Sequence, residues 1–146
     1  MKTTDPPIEL EFRYGASMEQ VWSALTVHSE MIQWYFEKIP SFEARVGFTT
    51  EFPVSSEERT FTHHWKVTEL IPKEKIIYNW SYKEYTGNSD LILELVEGTN
   101  ETIVHLKVVI RESFIDGIPE FKRENCIGGW NYFLGGNLAA YLAKTT

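Results

Sequence analysis

The sequence has a single cysteine, Cys126, in 146 residues, so no disulfide can close within the chain and a cystine-stapled scaffold is excluded. No apolar run approaches the ~18 residues of a membrane-spanning helix. Met1 to Pro7 hold Pro6 and Pro7 and lack the apolar stretch of a secretory leader. A lone thiol without a leader is expected in a reducing cytoplasm. Positive charge is scarce: 14 Lys and Arg stand against 21 Asp and Glu, a net of −7. Attraction to nucleic acid or anionic membrane scales with Lys and Arg contacts, so neither nucleic-acid binding nor membrane insertion is expected. Repeats, low-complexity tracts and long linkers are all missing, which leaves a single domain over 1–146. There is no G-x-S-x-G, no phosphate loop and no G-x-G-x-x-G, so nucleotide chemistry has no support.

What the chain does have is rings: five Trp, seven Tyr and nine Phe make up 14% of it. Such side chains fill cores, and they also line pockets and interfaces. Ile8, Leu10 and Phe12 alternate with Glu9, Glu11 and Arg13, the period of a half-buried strand. Ser17 followed by Gln20 is the signature of a capping box. Behind it Met18, Val21, Trp22 and Leu25 repeat at helical spacing. A second short helix is expected from near Ser29 into Trp34-Tyr35-Phe36. Gly47 then introduces a strand over Phe48 to Phe52. Four further runs, 59–70, 76–82, 91–96 and 102–110, separated by short turns, predict an antiparallel meander. After Asp116-Gly117-Ile118-Pro119 the pattern changes. Trp130, Leu134, Leu138 and Tyr141 or Leu142 form the apolar stripe of a long helix. Gly128-Gly129 and Gly135-Gly136 cost such a helix ~1 kcal/mol each relative to Ala, which points to a close approach or a kink. The fold class is α+β.

Three segments carry a family resemblance. Glu19-Gln20-Val21-Trp22-Ser23-Ala24-Leu25-Thr26 resembles the opening helix of the SRPBCC superfamily (START-like, birch-allergen-like). Val67-Thr68-Glu69-Leu70-Ile71-Pro72 with Lys75-Ile76-Ile77-Tyr78-Asn79-Trp80 is similar to its double strand. Gly129-Trp130 with Phe133-Leu134 and Tyr141-Leu142 resembles its terminal helix. Within the superfamily the chain is most similar to the activator of heat-shock-protein-90 ATPase homologue-like family. The resemblance spans nearly the whole chain, in order. It implies a helix-grip architecture: a bent antiparallel sheet wrapped around a long C-terminal helix, often with a cavity between them. The chain departs from the family in having Gly47-Phe48 where a double glycine is common, and in lacking a glycine-rich hairpin over 53–59.

Strand alternation says which side chains share the concave face. Phe61, His63, Trp65, Val67 and Glu69 form one set, and Ile76, Tyr78, Trp80 and Tyr82 the next. Leu91, Leu93 and Leu95, then Thr102, Val104, Leu106 and Val108, complete the face opposite Trp130 and Leu134. The first reading of such a set is plain core. What favours a ligand cavity is the mixture of polar atoms among the rings, at His63, Glu69, Tyr78 and Tyr82. The candidate lining is therefore Trp34, Phe61, His63, Trp65, Glu69, Tyr78, Trp80, Tyr82, Leu93, Leu106, Trp130 and Leu134.

No metal site is expected. His63 and His64 are adjacent in a strand and point to opposite faces, while His28 and His105 stand apart. His63 and Glu69 are too distant along one strand, roughly 20 Å, to form an acid–base dyad. Cys126, ahead of the helical stripe, reads as a small buried hydrophobe, or as a thiol activated by a helix N-terminus. Glu57-Glu58 and the Glu97 to Glu101 turn read as a solvated face, or as a surface for a protein partner. The expected function is non-enzymatic binding of a small hydrophobic or aromatic molecule, without a cofactor. Its alternative is an interaction domain that modulates a heat-shock-protein-90-type chaperone ATPase. A third option, from the superfamily's cyclases and hydratases, needs Glu69, His63 or Tyr78 as the reacting group.

Overall fold

In the computed structural model, which describes residues 1–145, Ile8–Tyr14 form β1, with Ile8 and Tyr14 buried and Glu9, Glu11 and Arg13 exposed. Ser17 then stops the strand and starts a helix. Its Oγ accepts from the Gln20 N–H at 3.1 Å, and the Gln20 side chain accepts from the Ser17 N–H at 2.9 Å. This is the expected capping box, and it opens α1 (Met18–Thr26). Helix α2 (His28–Trp34) follows at once and ends where Tyr35 leaves helical geometry.

Five strands then run in succession: β2 (Thr49–Ser56), β3 (Arg59–Ile71), β4 (Lys75–Tyr82), β5 (Asn88–Gly98) and β6 (Glu101–Glu112). The sheet is antiparallel throughout, in the order β1-β6-β5-β4-β3-β2. The expected four-run meander thus gains a strand, because β2 continues past Phe52 and pairs with β3 as far as Ser56. Pro53 interrupts no ladder, since β2 is a sheet edge.

The C-terminal helix is wound in three stretches: α3 (Arg123–Trp130), a π-helical stretch (Asn131–Leu138) and α4 (Ala139–Thr145). Trp130, Leu134, Leu138 and Leu142 are all buried, at a strict spacing of four. That spacing overshoots the α-helical turn of about 3.6 residues, and the wider π turns bring the stripe back toward the sheet. A Cβ at Gly135 would meet the Phe12 ring of β1 at 3.5 Å, an ordinary contact, so no close approach accounts for the paired glycines. The core is the space between this stripe, the concave sheet face and Val21, Leu25, Met31 and Trp34 of the short helices. The bent sheet around the C-terminal helix, with two short helices after β1, is a helix-grip architecture.

Candidate functional site

The groove between sheet and helix divides into a filled half and an open half. In the filled half Tyr35, just past α2, stacks on Trp34 with ring centroids 4.5 Å apart. It packs on Trp65 of β3 at 5.4 Å. The Tyr35 and Tyr78 hydroxyls share a hydrogen bond of 3.1 Å, and burial pushes both well above the usual tyrosine range. The Trp34 indole N–H donates to the Ala24 carbonyl at 2.8 Å.

The open half is a cavity of about 140 Å³ at the other end of the same face. His63 of β3, Trp80 and Tyr82 of β4, and Ser89 and Leu91 of β5 form its sheet wall. Cys126, Gly129, Trp130 and Phe133 of the helix face them, with Phe36, Phe121, Phe114 and Met1 closing the ends. Trp80 and Trp130 meet edge to face at 5.5 Å across it without filling it.

His63 is the polar centre of this wall. Its ring stacks on Phe52 at 5.0 Å and lies 4.9 Å from both Phe36 and Tyr82 and 5.2 Å from Trp80. Burial pushes its pKa down to about 3, with Glu84 opposing only weakly. The imidazole is therefore neutral at physiological pH, and its Nδ1 has no hydrogen-bond partner. The Trp80 Nε1 is also unpartnered. Its polar neighbour is the Tyr82 hydroxyl, whose pKa burial raises and the indole N–H partly lowers by hydrogen bonding, although the pair falls short of full hydrogen-bond geometry. Buried polar atoms without partners are costly, about 1–3 kcal/mol each.

Cys126 lies on the helical wall, and burial pushes its thiol up to about 11, outweighing the neighbouring Trp130 indole. A protonated thiol is a poor nucleophile, so the reading as a small hydrophobe prevails over the activated one. Glu120, at the cavity's edge, is held below the usual carboxylate range. Burial opposes its charge, but hydrogen bonds from its own backbone, Ser56 and Arg59 outweigh that, with Arg59 Nε at 3.1 Å.

Of the residues expected to line a cavity, the structure brings His63, Trp80, Tyr82 and Trp130 together. Trp34, Trp65, Tyr78, Leu93, Leu106 and Leu134 are buried in the main core. Phe61 belongs to a smaller cluster with Phe114 and Phe121 behind the cavity's end. Glu69 lies outside altogether. A register shift between Val67 and Glu69 breaks the alternation, leaving Thr68 and Glu69 exposed and Glu69 paired with Lys75 at 2.6 Å. With Glu69 outside and Tyr78 in the core, only His63 remains from the proposed enzymatic set, and a group titrating near pH 3 is poorly matched to proton transfer at neutral pH. Among the described residues no group of His, Cys, Asp or Glu is placed to hold a metal ion, and no helix is long and apolar enough to cross a membrane.

Phe36, Phe121, Cys126, Gly129 and Phe133 line the cavity but were not among the residues expected to do so. Cys126, Trp130 and Phe133 share helical spacing, so two of them could have been found beside Trp130. Phe121 sits in a single 3₁₀ turn, Pro119–Phe121, where no period signals a direction.

A family model described as activator of Hsp90 ATPase homolog 1-like protein matches residues 15–143. The chain belongs to this family. Solved structures agree in fold. Protein CV1439 from Chromobacterium violaceum superposes with a TM-score of 0.76 at 23% identity, over 93% of this chain and 96% of that one. Mll3558 from Rhizobium loti gives 0.77 at 18% identity, over 94% and 96%. The Aha1 dimer from Colwellia psychrerythraea gives 0.67 at 23% identity, over 94% and 96%. At these identities the likeness speaks for the fold alone. No curated protein matches the chain significantly.

Proposed function

We propose that the chain is a protein-interaction domain that modulates the ATPase of a heat-shock-protein-90-type chaperone. The family match over residues 15–143 carries this reading, and the fold shared with the Aha1 of Colwellia psychrerythraea supports it. The surface is suited to such a role. Glu57 and Glu58 are exposed in the β2–β3 turn and Glu97 near the end of β5, on a chain of net charge −7. A basic partner surface complements that charge, which governs association rate and salt sensitivity more than affinity. Sedimentation of the chain with a purified chaperone of this class, in the presence of ATP, tests it. A shared boundary that weakens as salt rises is expected. Separate sedimentation at saturating concentration overturns the proposal.

One observation favours a second reading, the binding of a small hydrophobic or aromatic molecule. The open half of the groove is a cavity of about 140 Å³ walled mainly by rings, with the side chains of His63, Ser89 and Cys126 among them. A concave, mostly apolar space with a few polar side chains is what ligand sites offer. Native mass spectrometry of freshly purified protein would reveal a copurified molecule. The bare chain alone, with no stabilisation by any aromatic compound, removes this reading.

A further inference from the structure

We infer that the free edge of β2 takes an extended, antiparallel segment of a partner protein in which apolar and basic residues alternate. The inference rests on the interaction-domain reading and names the surface that carries it.

The edge is the first argument. β2 ends the sheet, so one row of its backbone N–H and C=O groups has no strand beside it. The ladder decides which groups these are. The Phe48 carbonyl, just ahead of β2, accepts from the Val67 N–H at 2.9 Å, and hydrogen-bonded positions recur at every second residue of an antiparallel pair. Thr50, Phe52 and Val54 therefore bond to β3, and Thr49, Glu51, Pro53 and Ser55 turn outward. Pro53 agrees with this phase, since its nitrogen without a hydrogen falls on the outward row and leaves the ladder intact. The row is roughly 20 Å long, room for about six residues of an added strand. The opposite edge differs. There β1 and the residues before it are tied to the C-terminal helix, by the Tyr14 hydroxyl donating to the Leu134 carbonyl at 2.6 Å and by Arg123 donating to the Pro6 and Pro7 carbonyls.

The second argument is the groove beside the β2 edge. Val54 and Ser55 form one side of it, and Ile32, Phe36, Tyr132 and Phe133 line the rest. Tyr132 is 63% exposed, more than any other large apolar side chain among the described residues, and its ring stands 5.2 Å from Phe133. Side chains of an added strand point alternately to the two faces of the sheet. Those level with Phe52 and Val54 lie toward the rings of the groove, so these positions call for apolar residues.

Charge is the third argument. Side chains level with Glu51 and Ser55 lie on the convex face. Glu51 is exposed there, Glu57 and Glu58 follow in the turn, and Glu37 stands on the rim of the groove. Lys38 shares that rim, while Arg59 is already engaged with Glu57 and Glu120 at 3.6 and 3.1 Å. Opposite charges across a ladder attract, so these positions call for Lys or Arg. A second copy of this chain brings another −7 and the same acidic row, which disfavours self-pairing.

The test uses the full chain and three capped heptapeptides: alternating lysine and valine, alternating glutamate and valine, and the lysine peptide N-methylated at each lysine. Binding is read by fluorescence anisotropy, and hydrogen exchange at the Glu51 and Ser55 amides by NMR. The lysine peptide should bind saturably, weaken as salt rises and slow exchange at both amides. The glutamate peptide should bind at least about tenfold more weakly, the worth of a few cross-strand charge pairs. In the antiparallel pairing the lysine opposite Glu51 donates to β2, so methylation should abolish binding. Tyr132→Ala and Ser55→Pro, both at exposed positions, should each weaken it several-fold with the fold intact by melting temperature. If Ser55→Pro does not fold, Tyr132→Ala decides alone. Equal binding of the lysine and glutamate peptides overturns the charge assignment, and undiminished binding of the methylated peptide overturns strand pairing. Unchanged amide exchange, or undiminished binding by the folded variants, places the site elsewhere and overturns the proposal. A dimer of the chain that Ser55→Pro abolishes gives the edge to a second copy and overturns it too. If the lysine peptide binds at this edge while the chaperone sediments separately, the chaperone reading falls and the edge assignment stands. A chaperone that cosediments equally with wild type and variants does the reverse.

Discussion

His63 makes the stability of this protein depend on pH in a calculable way. In the folded chain its pKa is about 3, against roughly 6.5 for an unfolded histidine. Between those values the unfolded chain binds a proton that the folded chain does not. Stability therefore falls as pH drops through 6.5, and the loss levels off near pH 3. From pH 7.5 to 5.5 this single group removes about 1.4 kcal/mol, a tenfold change in the folding equilibrium. The comparison stops at pH 5.5 because the isoelectric point is near 5.1, where solubility falls. Every ionisable group contributes to the pH dependence of the wild type, so the wild type alone is uninformative. The variant His63→Phe keeps a ring beside Phe52, Phe36 and Trp80 but cannot titrate. The quantity to measure is the wild-type-minus-variant difference in unfolding free energy, by urea denaturation at both pH values. It should shift by about 1.4 kcal/mol against the wild type at the lower pH, moving the midpoint by roughly 0.5–1.4 M for ordinary urea slopes. Packing changes caused by the extra carbon cancel in this double difference, and His63→Leu repeats it with a different shape. A difference that stays flat between the two pH values would show that His63 takes up its proton in the fold, and the account of a dry, uncompensated imidazole would be wrong.

Four other substitutions probe the surrounding fold. Tyr35→Phe or Tyr78→Phe alone strands the other hydroxyl in the core and should cost about 1–3 kcal/mol. The double variant should lose clearly less than the sum in a double-mutant cycle, and strict additivity would deny the pairing. Gly87→Ala places a Cβ 2.1 Å from the Phe114 ring at a φ of +141°; overpacking of this kind costs about 1–3 kcal/mol, so an unchanged melting temperature would refute that contact. Ser17→Ala removes one arm of the capping box and should cost about 1 kcal/mol by denaturant titration.

The elements of this fold are written in local periodicity. Ile8, Leu10 and Phe12 mark a strand, Ser17 and Gln20 a helix start, and Trp130 to Leu142 a helical stripe, each within a few residues. Family resemblance in the right order then supplied the helix-grip arrangement. The candidate site was half legible. His63, Trp80 and Tyr82 share a face by simple alternation, and Trp130 faces them from the helix. Glu69 broke that rule because the bulge after Val67 depends on how β3 pairs with β4, and no residue in β3 announces it. The division of the groove was hidden for a related reason. It is set by Tyr35, Phe36 and Phe42 of the irregular segment after α2, which pack on Trp65, Tyr78 and Phe133, with Phe48 against Phe42. Rings in a segment without a period carry no direction in the sequence, so which half of the concave face they would fill was decided by tertiary packing. Phe114 and Phe121 close the cavity's end under the same circumstances.

The central functional proposal, modulation of a chaperone ATPase, is reached most directly by steady-state ATP turnover. A purified heat-shock-protein-90-type chaperone is titrated with the chain at constant ATP. The account predicts a saturable change in turnover whose half-point rises with salt, as expected for an acidic surface meeting a basic one. Turnover that stays constant up to saturating protein would contradict it.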